Sequence, residues 1–161
     1  MFLKPRSAML SDGGVIRRPS GYERVDYEGE LGVVMGDGEI MGFTCINDVT
    51  VRDLQKKDGQ WTRAKGFDTF CPIGPRIVAD LDPTNLRITT RVNGAVKQNS
   101  STSDLIFDVK TLVEFVGRHM TLEYGDVIST GTPSGVGNLA VGDVVEVEIE
   151  GIGILRNTVV G

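Results

Sequence analysis

Three carboxylates, Glu28, Glu30 and Asp48, are the side chains whose types and spacing offer the clearest chemistry. Glu28 and Glu30 lie in residues 27–35 (YEGELGVVM), whose alternation predicts a strand. Tyr27, Leu31, Val33 and Met35 fall on one face, and Glu28, Glu30 and Val34 on the other. A strand rises about 3.3 Å per residue, so alternate residues stand roughly 7 Å apart on one face and both carboxylates can converge on one ion. Asp48 follows a second strand candidate, residues 40–46, and can enter from the side. Hard oxygen donors suit Mg2+, Mn2+ or Ca2+ better than zinc, which prefers nitrogen and sulfur. Three such donors leave positions open for water and a chelating substrate. Without a cation, the clustered charges repel one another and raise their pKa values. Glu146, Glu148 and Glu150 show the same alternation and read as a solvated strand face, so spacing alone leaves both readings open for Glu28 and Glu30.

The elements that must position these groups are mostly strands. Phe2 to Pro5 reads as an extended lead-in and SDGG at 11–14 as a turn. Gly36-Asp37-Gly38 predicts a hairpin between residues 27–35 and 40–46. A short helix should follow Asp48, with Thr50 as its cap and Asp53 as capping-box partner. On such a helix Arg52 and Gln55, three residues apart, point to one side. Residues 65–75 (KGFDTFCPIGP) are rich in glycine and proline and predict a loop.

Residues 86–92 alternate again, and Asn93-Gly94 marks a turn of the primed type. Asp108 should cap a helix over 109–118, with Leu112, Val113, Phe115 and Val116 as a buried stripe. Residues 126–129, 144–149 and 152–160 are further strand candidates, giving an α+β, predominantly β fold. The glycine-rich TGTPSGVG at 130–137 lacks the Gly-Lys-Ser/Thr ending of a nucleotide-binding loop.

Composition sets the outer limits. The 161 residues are 40% apolar and 24% charged, and read as one domain spanning 1–161. A net charge of −5 argues against a nucleic-acid surface. No run of about 18 apolar residues predicts a membrane helix, and no secretory leader pattern opens the chain. Cys45 and Cys71 form no CxxC, which suits a reducing interior and a cytoplasmic protein.

Several segments together carry a resemblance. They are FLKP at 2–5, DYEGELGVV at 26–34, INDVTVRDLQ at 46–55, AKGFDTFCPIGP at 64–75, VNGAVKQ at 92–98, TGTPSGVG at 130–137 and GIGILRN at 151–157. In this order they resemble the fumarylacetoacetate hydrolase family in its C-terminal catalytic domain, a mixed β-sheet roll with few short helices. The resemblance implies that Glu28, Glu30 and Asp48 bind Mg2+ or Mn2+. It also implies a small 2-oxo acid substrate that chelates the metal, with Arg52 and Gln55 facing its carboxylate and oxo group and Lys65 beside them. Thr132, or alternatively Thr130, would donate to the carboxylate, and Lys65 and Arg52 would be the catalytic pair.

The implied activity is isomerisation, decarboxylation or C–C hydrolysis of 2-oxo or diketo acids through an enolate, in aromatic-compound breakdown, by a homodimer. The resemblance further implies a His and a Glu on a lid helix ahead of FLKP. The sequence begins at Met1-Phe2-Leu3-Lys4-Pro5 without them, and its one histidine, His119, reads as a helix-end residue. A natural short form, a mistaken start and a fragment all remain open. A family scaffold that keeps the metal site without catalysis is the second reading.

Overall fold

Runs of valine, isoleucine and leucine at period two make strands, and thirteen form in the computed structural model, which describes residues 1–161. In chain order they are β1 (Met9–Ser11), β2 (Val15–Arg17), β3 (Val25–Tyr27), β4 (Gly29–Met35), β5 (Ile40–Asn47), β6 (Thr50–Val51) and β7 (Cys71–Val78). They continue with β8 (Arg87–Val92), β9 (Ala95–Ser101), β10 (Val127–Ser129), β11 (Gly137–Asn138), β12 (Val144–Ile149) and β13 (Gly153–Val160). The α-helices are α1 (Arg52–Asp58), α2 (Thr62–Lys65) and α3 (Val109–Gly117). Two five-stranded sheets form, ordered β1-β7-β5-β4-β10 and β2-β13-β12-β8-β9, together with a small sheet of order β11-β3-β6. The expected α+β, predominantly β class is what forms.

Two apolar clusters hold the layers together. Ile16, Val25, Tyr27, Val49, Val51, Phe70 and Val145 build the first. Leu31, Val33, Phe43, Ile88, Val147, Ile149 and Leu155 build the second. Strand β12 feeds both, sending Val145 into one and Val147 and Ile149 into the other. Each such side chain contributes about 1.5–3 kcal/mol on full burial. No helix is long and apolar enough to cross a membrane.

The hairpin at Gly36–Gly38 and the primed turn at Asn93-Gly94 form as expected. Met35 faces Ile40 across the first, and Asn93 and Gly94 take φ of 52° and 79° in the second. Asp108 caps α3 by accepting from the Thr111 N–H at 2.7 Å.

Four expectations need correction. The run 27–35 is not one strand. It breaks at Glu28 into strands of two different sheets, and both faces are buried. Thr50 does not cap α1, which starts after Val51 without a side-chain cap; Asp53 instead accepts from the N–H groups of Glu23 and Arg24. Within 65–75, Lys65 closes α2 and Cys71 to Pro75 belong to β7, where parallel pairing with β1 outweighs the local glycine and proline. On α3, Val109 is buried, Leu112, Val113 and Val116 are half-buried, and Phe115 turns outward against His119, with ring centroids 4.6 Å apart.

Candidate metal centre

The switch of sheets at Glu28 builds the site. The Glu28 N–H donates to Asn47 Oδ1 at 3.0 Å, and its carbonyl accepts from the Asp48 N–H at 2.8 Å. Gly29 pairs with Asn47 across the β4–β5 ladder, so the chain at Asp48 runs beside Glu28. Glu28, Glu30 and Asp48 are all buried, and one carboxylate oxygen from each lies within 4.8 Å of the other two. Sequence spacing left these acids between a ligand set and a wet strand face; their burial and convergence exclude the wet face.

Cations gather around two of the three. Lys65 is buried, and its ammonium donates to Glu28 Oε2 at 2.8 Å, Asp48 Oδ2 at 2.5 Å and Thr50 Oγ1 at 2.8 Å. Lys4 donates to Asp48 Oδ1 at 2.6 Å and to the carbonyl of Lys65. Arg52 Nη2 donates to Glu28 Oε1 at 2.6 Å, Nη1 to Gln55 Oε1 at 2.5 Å, and Nε to the buried Asp26 at 2.9 Å. The rings of Phe2 and Trp61 stand 4.9 and 6.0 Å from the Lys65 ammonium, a cation–π arrangement that also keeps water off it.

Glu30 is different. Its Oε2 accepts from the Ser129 hydroxyl and, at 2.8 Å, from the Gly131 N–H, and no side-chain cation pairs with it. Burial, followed by repulsion from Asp48 and then Glu28, pushes its pKa up to about 8, although the two donors pull the other way. For Lys65, burial alone favours the neutral amine, but Asp48 and Glu28 outweigh it and hold the pKa above the usual lysine range. Three converging carboxylates, one lacking any cation, form a donor set that fits a hard divalent ion.

Most of the residues singled out in the sequence are brought together. Arg52, Gln55 and Lys65 join Glu28 and Asp48 in one network, with Glu30 beside it. The two threonines of the glycine-rich loop bond to the backbone of β4. Thr130 donates to the Leu31 carbonyl at 3.0 Å and Thr132 to the Gly29 carbonyl at 2.9 Å. His119 is exposed at the end of α3, its ring nitrogen 2.7 Å from the Phe115 carbonyl oxygen. Sequence reasoning missed Lys4, Asp26, Thr50 and Ser129. The motifs FLKP and DYEGELGVV contain the first two, so their positions carried a signal and their partners did not.

Residues 1–160 match the family model described as fumarylacetoacetate (FAA) hydrolase C-terminal. An uncharacterised protein of Methanocaldococcus jannaschii is 62% identical over 170 residues, covering 99% of this chain and 72% of that protein. An oxaloacetate tautomerase of Bacillus subtilis is 42% identical over 181 residues, covering 99% of this chain and 60% of the relative. The crystal structure of a 2-hydroxyhepta-2,4-diene-1,7-dioate isomerase from Mycobacterium marinum superposes with a TM-score of 0.96 at 51% identity, covering 99% of this chain and 68% of that one. The chain thus spans some three-fifths to three-quarters of the length of these relatives.

Proposed function

The chain belongs to the fumarylacetoacetate hydrolase family, and from that premise we propose that it is a divalent-metal-dependent enzyme isomerising 2-oxo dicarboxylic acids. The observation that carries this reading is the buried triad of Glu28, Glu30 and Asp48, with Glu30 unpaired by any cation and Lys65 and Arg52 alongside. The relatives named as a tautomerase and an isomerase support proton relocation next to a 2-oxo group over decarboxylation or C–C hydrolysis. Mg2+ or Mn2+ is the proposed cofactor, with Ca2+ a third candidate by ligand chemistry. The same reading takes in a cytoplasmic homodimer serving aromatic-compound breakdown, on the family resemblance.

When bound, the cation supplies Lewis acidity toward the 2-oxo oxygen. Arg52 recognises a substrate carboxylate. Asp26 fixes its Nε, and each Nη keeps a second proton beyond those given to Glu28 and Gln55. Gln55 accepts from Arg52, and its own amide N–H groups remain for the substrate. All three Lys65 protons have protein acceptors, so its contribution is a fixed positive charge facing negative charge that develops on the substrate.

Two measurements test the proposal. Wild-type protein at Mn2+ a hundredfold above Kd should gain about 2.7 kcal/mol of stability, and Glu28→Ala and Asp48→Ala should lose that response. Keto–enol interconversion of oxaloacetate, followed by ultraviolet absorbance, should require the metal. Mutants that respond to Mn2+ like the wild type would overturn the ligand assignment. Metal binding without turnover of any 2-oxo acid would leave the scaffold reading.

A further inference from the structure

The peptide at Gly29, between the two glutamates of the triad, is held by side chains where a strand would ordinarily hold it. Strand β10 pairs with β4 from Gly32 to Val34, and the last backbone bond between the two segments runs from the Thr130 N–H to the Leu31 carbonyl at 3.1 Å. At Gly29 the N–H donates to Gln98 Oε1 at 3.0 Å, and the carbonyl accepts from Thr132 Oγ1 at 2.9 Å. Gln98 Nε2 donates to Thr132 Oγ1 at 2.8 Å and to the Pro133 carbonyl at 2.9 Å. The result is a closed ring through Gly29, Gln98 and Thr132. Gln98 is 1% exposed, and both of its amide protons and its oxygen are committed to this ring and its loop.

Close packing explains why position 29 is glycine. A Cβ there would lie 2.2 Å from Thr90 Oγ1 and 3.2 Å from Gln98 Oε1. The ring also reaches Glu30 by a second route, because the loop it pins contains Gly131, whose N–H donates to Glu30 Oε2. Gln98 therefore touches neither the carboxylates nor any ligand of theirs, yet it fixes the backbone between Glu28 and Glu30 and the loop that orients Glu30.

We propose that Gln98 is a positioning residue for the metal centre, acting through the Gly29 peptide and the Thr132 loop. This rests on the metal reading given above. Partners that orient metal ligands typically change affinity by about 10–100-fold when removed. Gln98→Met keeps the length and deletes all three hydrogen bonds. It should weaken Mn2+ binding by at least about tenfold, read by electron paramagnetic resonance of free Mn2+ on folded protein, without any activity assay. Thr132→Val opens the same ring from a half-buried position and should weaken Mn2+ in the same sense, whereas Thr132→Ser, which keeps the hydroxyl, should restore it. Leu155→Ala, a truncation in the second apolar cluster, controls for general loss of stability and should lower the melting temperature with Mn2+ affinity unchanged. Wild-type Mn2+ affinity in both Gln98→Met and Thr132→Val would overturn the positioning role alone. If Gln98→Met does not fold, Thr132→Val against Thr132→Ser decides the matter. A wild type that binds no Mn2+ would overturn the metal reading and this role with it.

Discussion

Strand β12 and the β3–β4 junction both alternate glutamate with other residues, and the two sets of glutamates meet opposite fates. On β12, Val145, Val147 and Ile149 point inward, while Glu146 and Glu148 face outward and pair with Arg156 at 3.4 Å and Arg91 at 2.6 Å. These pairs are partly exposed, so water screens them. At the β3–β4 junction the chain crosses between sheets, both of its faces are covered, and Glu28 and Glu30 are buried. A buried charge costs several kcal/mol unless it is paired, and here Lys65, Lys4 and Arg52 are drawn in to pair two of the three acids. Identical periodicity thus gives a surface or a site according to what covers the second face.

Substitutions should separate the two regions by size of effect. The largest effect is expected from Lys65→Met, which removes the buried cation shared by Glu28 and Asp48, leaves only Arg52 and Lys4 to face them, and should cost about 3–5 kcal/mol of unfolding free energy in urea. A loss under about 1 kcal/mol, the range of an exposed pair, would put the two regions in one class.

The next effect is a pH dependence carried by Glu30. Its folded pKa is raised to about 8 from the usual 4.5, so between these values the folded state holds a proton that the unfolded state has lost. Its contribution to metal-free stability is therefore fully present below 4.5 and is lost as pH rises toward about 8, with a slope of at most ~1.4 kcal/mol per pH unit. Thermal melts across that window should show the decline, Glu30→Gln should flatten it, and saturating Mn2+ should oppose it by holding the carboxylate ionised. The smallest effect is expected from Glu148→Ala on β12, within about 1 kcal/mol and reduced further by salt.

How much of this was legible in the sequence differs by element. The hairpins at Gly36–Gly38 and Asn93-Gly94 and the cap at Asp108 were readable because turn and cap chemistry is local. The three acids were readable as candidates, but their burial depends on sheet stacking that alternation does not encode. Ser129 reaches Glu30 only because β10 lies beside β4, with Ser129 opposite Gly32, a contact across 99 positions of chain. Thr50 looked like a cap and became a partner of Lys65 because β6 pairs with β3 and uses the backbone around it. Gln98 ends the VNGAVKQ segment, yet nothing local reveals that its amide holds the backbone at Gly29.

The placement of Phe2 and Lys4 has a practical consequence. One lays its ring near the Lys65 ammonium and the other binds Asp48, so the wall of the site is made from the first few residues described. Any polypeptide joined ahead of Met1, including an affinity tag, therefore emerges at the rim of the acid cluster. Gly161, by contrast, follows the last residue of β13 and lies beside Val141. Mn2+ titrations on protein tagged at one end and then at the other would report directly how closely that rim is guarded.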